Sequence, residues 1–271
     1  MKKLVLFGDS FANYSWWGEN EVDNKSWAID LAGRLNLPII NYGVAGSSLI
    51  YSFHKFWEYF KSDQYHEDDV IIFIMTNPER TWVRSMPNPY LGICTIIPDN
   101  PLYSTEDTNW IKQNYDCNIW TMLNLLTPEI NFDLLQVASC FSILAEQHKK
   151  NTWILLRMDN YSAREHIEYL NQIIFPSDNF FPYIDKKNTL FEASMNEFSS
   201  EEMFRGFVET GRDSRINHLS KINRYKFADM MLDLITTKNI QSFNINKFAK
   251  NIYNTLEDLE IFKHTIDTDN I

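Results

Sequence analysis

Val70-Ile71-Ile72-Phe73-Ile74-Met75 is an unbroken run of six apolar residues, and it constrains the fold more than any other stretch of this chain. A strand buried on both faces reads as such a run, whereas a strand with one wet face alternates. The run is also too short for an ordinary helix, so it predicts an interior strand of a parallel sheet. Leu4-Val5-Leu6-Phe7, Pro38-Ile39-Ile40-Asn41-Tyr42 and Thr152-Trp153-Ile154-Leu155-Leu156 have the same character. Helical patterns separate them. Trp27, Leu31 and Leu35 recur at helical spacing behind Ser26, a serine suited to an N-cap. Ser47 or Ser48 caps a helix through Leu49, Phe53, Phe56, Trp57 and Phe60. Ile130 to Lys149 is a long amphipathic helix, and Ile222, Tyr225, Ala228, Met231, Leu232 and Ile235 mark another. Strands alternating with helices imply βαβ units and an α/β fold.

Two segments fit this alternation poorly. Residues 84–128 are rich in Pro, Asn and Trp, and residues 158–212 are mixed, with short helices and a strand expected near Phe180 to Ile184. Connections of that length in a compact domain are often functional. The expected organisation is one domain over 1–235, with these two stretches as insertions. A C-terminal helical extension over 236–271 packs on the same domain, its helix placed at 243–263.

The chain is 44% apolar and 15% aromatic, enough to bury a sizeable core. Its net charge of −11 argues against nucleic acid and anionic membrane surfaces, whose binding rests on Lys and Arg. Cys94, Cys117 and Cys140 are odd in number and form no C-x-x-C pair, so they read as reduced thiols. No Cys or His pair has ligand spacing, so no metal and no cofactor are expected. The apolar stretch after Met1-Lys2-Lys3 is too short for a signal peptide, and no run suits a membrane span. The expectation is a soluble, cytoplasmic chain, although a virion-associated route would leave no such trace.

Chemistry concentrates after the strands. Gly8-Asp9-Ser10 follows the first, Gly43-Val44-Ala45-Gly46 the second and Thr76-Asn77 the third. In an open parallel sheet these loops share the carboxyl edge, where ligands bind. A serine on a tight turn, glycines allowing close backbone approach and an amide donor are what acyl transfer requires. A base is available in His218, on a loop leading into the helix that starts near Ser220, and Asp213 lies five residues earlier. Asp9 reads as structural, accepting backbone N–H groups in its own turn.

These blocks resemble the SGNH (GDSL-like) hydrolases. Gly8-Asp9-Ser10 matches the GDS serine block, Gly46 in Asn41-Tyr42-Gly43-Val44-Ala45-Gly46-Ser47 the glycine block, Asn77 the asparagine block, and Asn217-His218-Leu219-Ser220 the histidine block. Order and context agree over residues 3–235. The resemblance implies a flavodoxin-like three-layer α/β/α fold and a serine esterase or deacylase. Ser10 would be nucleophile and His218 general base, with the Ser10 N–H, Gly46 N–H and Asn77 amide forming an oxyanion hole. Two departures stand out. Arg215 occupies the place of the family's acid, so either Asp213 serves or a Ser-His dyad works with another orienter. Asn77 is followed by Pro78-Glu79-Arg80 instead of aspartate.

The implied substrates are carboxylic esters, small-molecule or carbohydrate-borne, with O-acetyl sugars favoured by aromatic residues in the loops. Trp16, Trp17, Trp82 and Arg80 are the candidate substrate-binding residues. Such aromatics stack on sugar rings or pack their own loops, and Arg80 meets an anionic group or stays a solvated charge. The same Ser-His chemistry serves an acyltransferase. A chain keeping the fold without the chemistry would be a binding or structural protein.

Overall fold

The computed structural model describes residues 1–13, 26–44, 47–76, 130–157, 176–183, 189–209 and 216–254. Five strands form one all-parallel sheet: β1 Leu4–Phe7, β2 Ile39–Asn41, β3 Val70–Met75, β4 Thr152–Arg157 and β5 Phe180–Tyr183. Their order is β2-β1-β3-β4-β5, the flavodoxin-like arrangement. The helices are α1 Trp27–Leu35, α2 Leu49–Phe60, α3 Ile130–Gln147, α4 Leu190–Met195, α5 Glu201–Glu209 and α6 Lys221–Thr237.

Strand residues alternate between two cores. Leu4, Leu6, Ile72, Ile74 and Ile154 pack with Trp27 of α1 and Phe227 of α6 on one face. Val5, Phe7, Ile71, Phe73 and Trp153 pack with Phe56 of α2 and Phe141 of α3 on the other. The sheet is thus the middle layer of three. Every residue of β3 is buried, as its unbroken apolar run requires, because helices cover both faces. The chain steps outward from β1 to β2 and then back across β1 to β3. With right-handed crossovers, that reversal puts α1 and α2 on opposite faces. The loops leaving β1 and β3 then diverge and open a crevice at the carboxyl edge.

Serine caps set the helix starts. Ser26 Oγ accepts from Ala28 N–H and Ser48 Oγ from Tyr51 N–H. Ser47 instead donates to the Gly8 carbonyl at 3.0 Å and so ties the β2–α2 loop to the end of β1.

Two expectations need correction. In α6 the apolar spacing holds at Ala228, Met231 and Ile235, which are buried, with Leu232 partly so, but fails at the start of the helix: Ile222 and Tyr225 are exposed, while Asn223 and Arg224 are buried. The cause is Glu197, a fully buried carboxylate that draws the polar start of the helix inward. The helix placed at 243–263 is also absent from its described part. Residues 240–242 and 245–247 are single 3-10 turns, and residues to 254 run on without α-helix. Asn239 and Asn244 accept the Gln241 and Asn246 N–H groups, a local bond that competes with helix continuation. Phe243, Ile245 and Phe248 still join the α1–α6 core. Among the described residues no helix is long and apolar enough to cross a membrane.

Candidate active site

The site is built on the turn that ends β1. Gly8 has φ +142°, and a Cβ there would lie 2.9 Å from the Ile74 carbonyl oxygen, so only glycine lets β1 leave the sheet this close to β3. Asp9 is fully buried and its Oδ1 accepts the Phe11 N–H at 3.1 Å, which is the structural role expected of it. The Asp9 carbonyl accepts from Ala12 and Asn13, closing a helical turn with Ser10 in its first position.

Neighbouring elements hold this turn by its backbone. Asn41, at the end of β2, donates to the Ala12 carbonyl at 2.9 Å and accepts from the Gly43 N–H at 2.7 Å. Gly43 presses so closely on the turn that a Cβ would come within 2.8 Å of Ala12 Cβ. Val44 N–H bonds the Gly8 carbonyl, and Trp27 Nε1 of α1 donates to the Phe11 carbonyl at 2.9 Å.

From the far end of the chain comes the turn Ile216–His218. Asn217 and His218 both have φ +54°, two left-handed residues in succession. His218 Nε2 lies 2.6 Å from Ser10 Oγ, across a separation of 208 residues. The Phe11 ring packs beside the imidazole, centroid to centroid 5.0 Å. Asn217 Nδ2 donates to the carbonyls of Asn13, Phe11 and Ser10 at 2.7, 3.0 and 3.2 Å. The Ser10 N–H has no acceptor among the described residues.

A second group of contacts fixes the histidine loop from behind. Ser194 Oγ, on α4, donates to the His218 carbonyl at 2.7 Å. Both Glu197 carboxylate oxygens accept the Ser220 N–H at 2.9 Å, Oε1 takes the Ser220 hydroxyl, and Asn223 Nδ2 donates at 2.7 Å. A carboxylate at the start of α6 also meets the positive end of the helix. The Glu197 carbonyl in turn accepts from Ile252 and Tyr253, so the C-terminal stretch braces this cradle.

Ser10 and His218 are therefore brought into direct contact. Asp213, Gly46, Asn77, Trp16, Trp17, Arg80 and Trp82 lie outside the described residues. Sequence reading passed over Asn41, Ser194, Glu197 and Asn217. Asn41 and Asn217 stood inside the quoted motif blocks, yet side-chain amides carry no periodic signal. Their partners are distant in sequence, up to 207 residues for Asn217.

Comparison with known proteins adds little. No family model and no curated protein matches this chain. The crystal structure of a lipase/acylhydrolase from Enterococcus faecalis is similar at 16% identity, covering 88% of this chain and 97% of that one, with a TM-score of 0.39. That likeness is too distant to assign a role to any residue.

Proposed function

We propose that this chain is a serine esterase or deacylase acting on carboxylic esters. What carries the reading is the 2.6 Å contact between Ser10 Oγ and His218 Nε2 at the carboxyl edge of the sheet. A hydroxyl within hydrogen-bond reach of an imidazole is the arrangement that activates a serine nucleophile. Ser10 Oγ attacks the ester carbonyl carbon as its proton passes to His218 Nε2. The oxyanion is held by the Ser10 N–H, with the Gly46 N–H and the Asn77 amide assigned as further donors from the motif resemblance. His218 returns the proton to the alcohol oxygen as the C–O bond breaks. Water then attacks the acyl-enzyme by the same route and releases the acid. Asp213 is assigned to orient the imidazole. O-acetyl groups on a carbohydrate are the favoured substrates, with Trp16, Trp17, Trp82 and Arg80 lining the approach.

The test is p-nitrophenyl acetate hydrolysis by the parent, Ser10→Ala and His218→Ala, with fluorophosphonate labelling of Ser10 alongside. Turnover and labelling by the parent, both lost in Ser10→Ala, support the reading. Equal rates in all three proteins, or a parent that neither turns over nor labels, would leave a binding protein on this fold. Hydrolysis that gives way to transfer when an alcohol or sugar is added would make the chain an acyltransferase.

A further inference from the structure

We infer that Asn217 is a positioning residue that sets the distance between Ser10 and His218, an inference that rests on the esterase reading. Asn217 and His218 are consecutive and share one left-handed turn, both at φ +54°. One side chain docks on the backbone of the serine turn; the other meets the serine hydroxyl. With the backbone between them fixed, seating the amide seats the imidazole.

The chemistry of the contact is specific. Three carbonyl oxygens converge on one point and need N–H donors, so the Nδ2 end of the amide must face them. The amide is almost fully buried, yet its Oδ1 has no hydrogen-bond partner among the described residues. A buried orphan oxygen costs stability, and retaining it argues that the residue is kept for what its nitrogen does. Among the described residues, the side-chain bonds to this turn from Asn41 and Trp27 come from β2 and α1 and tie it to the body of the fold. Asn217 ties it to the base. The left-handed conformation also suits asparagine, which tolerates it better than most residues.

Asn217→Gly keeps the left-handed backbone and removes only the amide. Asn217→Asp, similar in size, replaces the donor with a carboxylate facing three carbonyls, and it separates loss of the donor from loss of packing. For each variant, kcat and KM on the ester are measured well below the unfolding midpoint. The expected result is a kcat lower by about 100-fold with KM changed little, the scale on which small misplacements of reacting groups act. A purely structural role would move the midpoint and leave kcat near that of the parent. In parallel, the His218 imidazole is titrated by NMR in the parent, Ser10→Ala, Asn217→Gly and the double variant. With Asn217 in place, removing the Ser10 hydroxyl shifts the titration; without it, that shift disappears. An undiminished shift in the Asn217→Gly background overturns the inference. A parent that hydrolyses no ester but shows the Asn217-dependent shift overturns the esterase reading and leaves the positioning role standing.

Discussion

The two edges of the sheet each carry a buried polar cluster, and the two are built to opposite ends. At the amino edge, Asp69 precedes β3 and is fully buried. Its carboxylate accepts from the Lys3 N–H and ammonium, the Tyr59 hydroxyl and the His66 N–H. Asn151, before β4, bonds the carbonyls of His66 and Asp69 and accepts the Tyr65 hydroxyl. The acceptors there tie β1, β3 and β4 to one another and to α2 and the loop after it. At the carboxyl edge the side chains are spent on backbone: Asn217, Asn41 and Trp27 take the carbonyls of the serine turn. That leaves the Ser10 hydroxyl facing the His218 imidazole, beside a Ser10 N–H with no acceptor among the described residues. A saturated cluster is a joint. A cluster whose turn carbonyls are taken up and whose hydroxyl faces an imidazole is equipped for chemistry.

The largest effect expected from this contrast is on rate. Ser10→Ala should lower kcat on the order of 10⁴-fold or more, while its unfolding curve in denaturant stays on that of the parent. Asp69→Ala should do the reverse. It strands the Lys3 ammonium beside a cavity and should cost about 3–5 kcal/mol in denaturant unfolding, with fluorophosphonate labelling at Ser10 unchanged in the folded protein. Slower labelling in Asp69→Ala would show that the two edges are coupled and break the contrast.

Smaller effects sharpen it. Gly43→Ala drives a methyl into Ala12 and the Asn13 N–H, and should cost about 1–3 kcal/mol together with a fall in kcat, since the serine turn must shift. Gly33, in α1, has open space around it, and Gly33→Ala should raise stability by about 0.5–1 kcal/mol without touching the rate. The amino edge also predicts an alkaline weakness. Burial, then Asp69, raises the Tyr59 hydroxyl pKa well above its ordinary range, and the Tyr65 hydroxyl is pushed up to about 12. Below pH ~10 both phenols are protonated in folded and unfolded chains alike. Above it only the unfolded chain gives up its protons, so stability falls by about 1.4 kcal/mol per pH unit for each phenol. Tyr59→Phe should flatten that fall between pH 10 and 12, as read by unfolding at stepped pH, and leave the slope below pH 9 unchanged.

How legible these regions were from sequence differs in the same way. The parallel sheet was legible because β3 and its neighbours are unbroken apolar runs, and burial on both faces is a property of composition over a few adjacent residues. The serine cap of α1 was legible for the same local reason, and for α2 the cap was narrowed to Ser47 or Ser48. Ser10 and His218 could be named because each stands in a short motif. Only the start of the α6 face was misjudged, since apolar spacing counts Ile222 and Tyr225 and cannot see that Glu197 needs Asn223 buried beside it. Over its described part, to residue 254, the helix placed at 243–263 failed similarly: apolar spacing ignores the Asn239 and Asn244 side chains, which bond the nearby backbone in place of a helix.

The sequence by itself determined the sheet, its helical cover and the two residues whose chemistry is at issue, because strand burial, helix capping and short motifs are each written within a few neighbouring positions. Only the tertiary structure decided that Ser10 and His218 touch, and that Asn217, Asn41, Ser194 and Glu197 hold them there. Those bonds join residues as much as 208 positions apart, and a side-chain amide or a buried carboxylate has no role until the fold brings its partner.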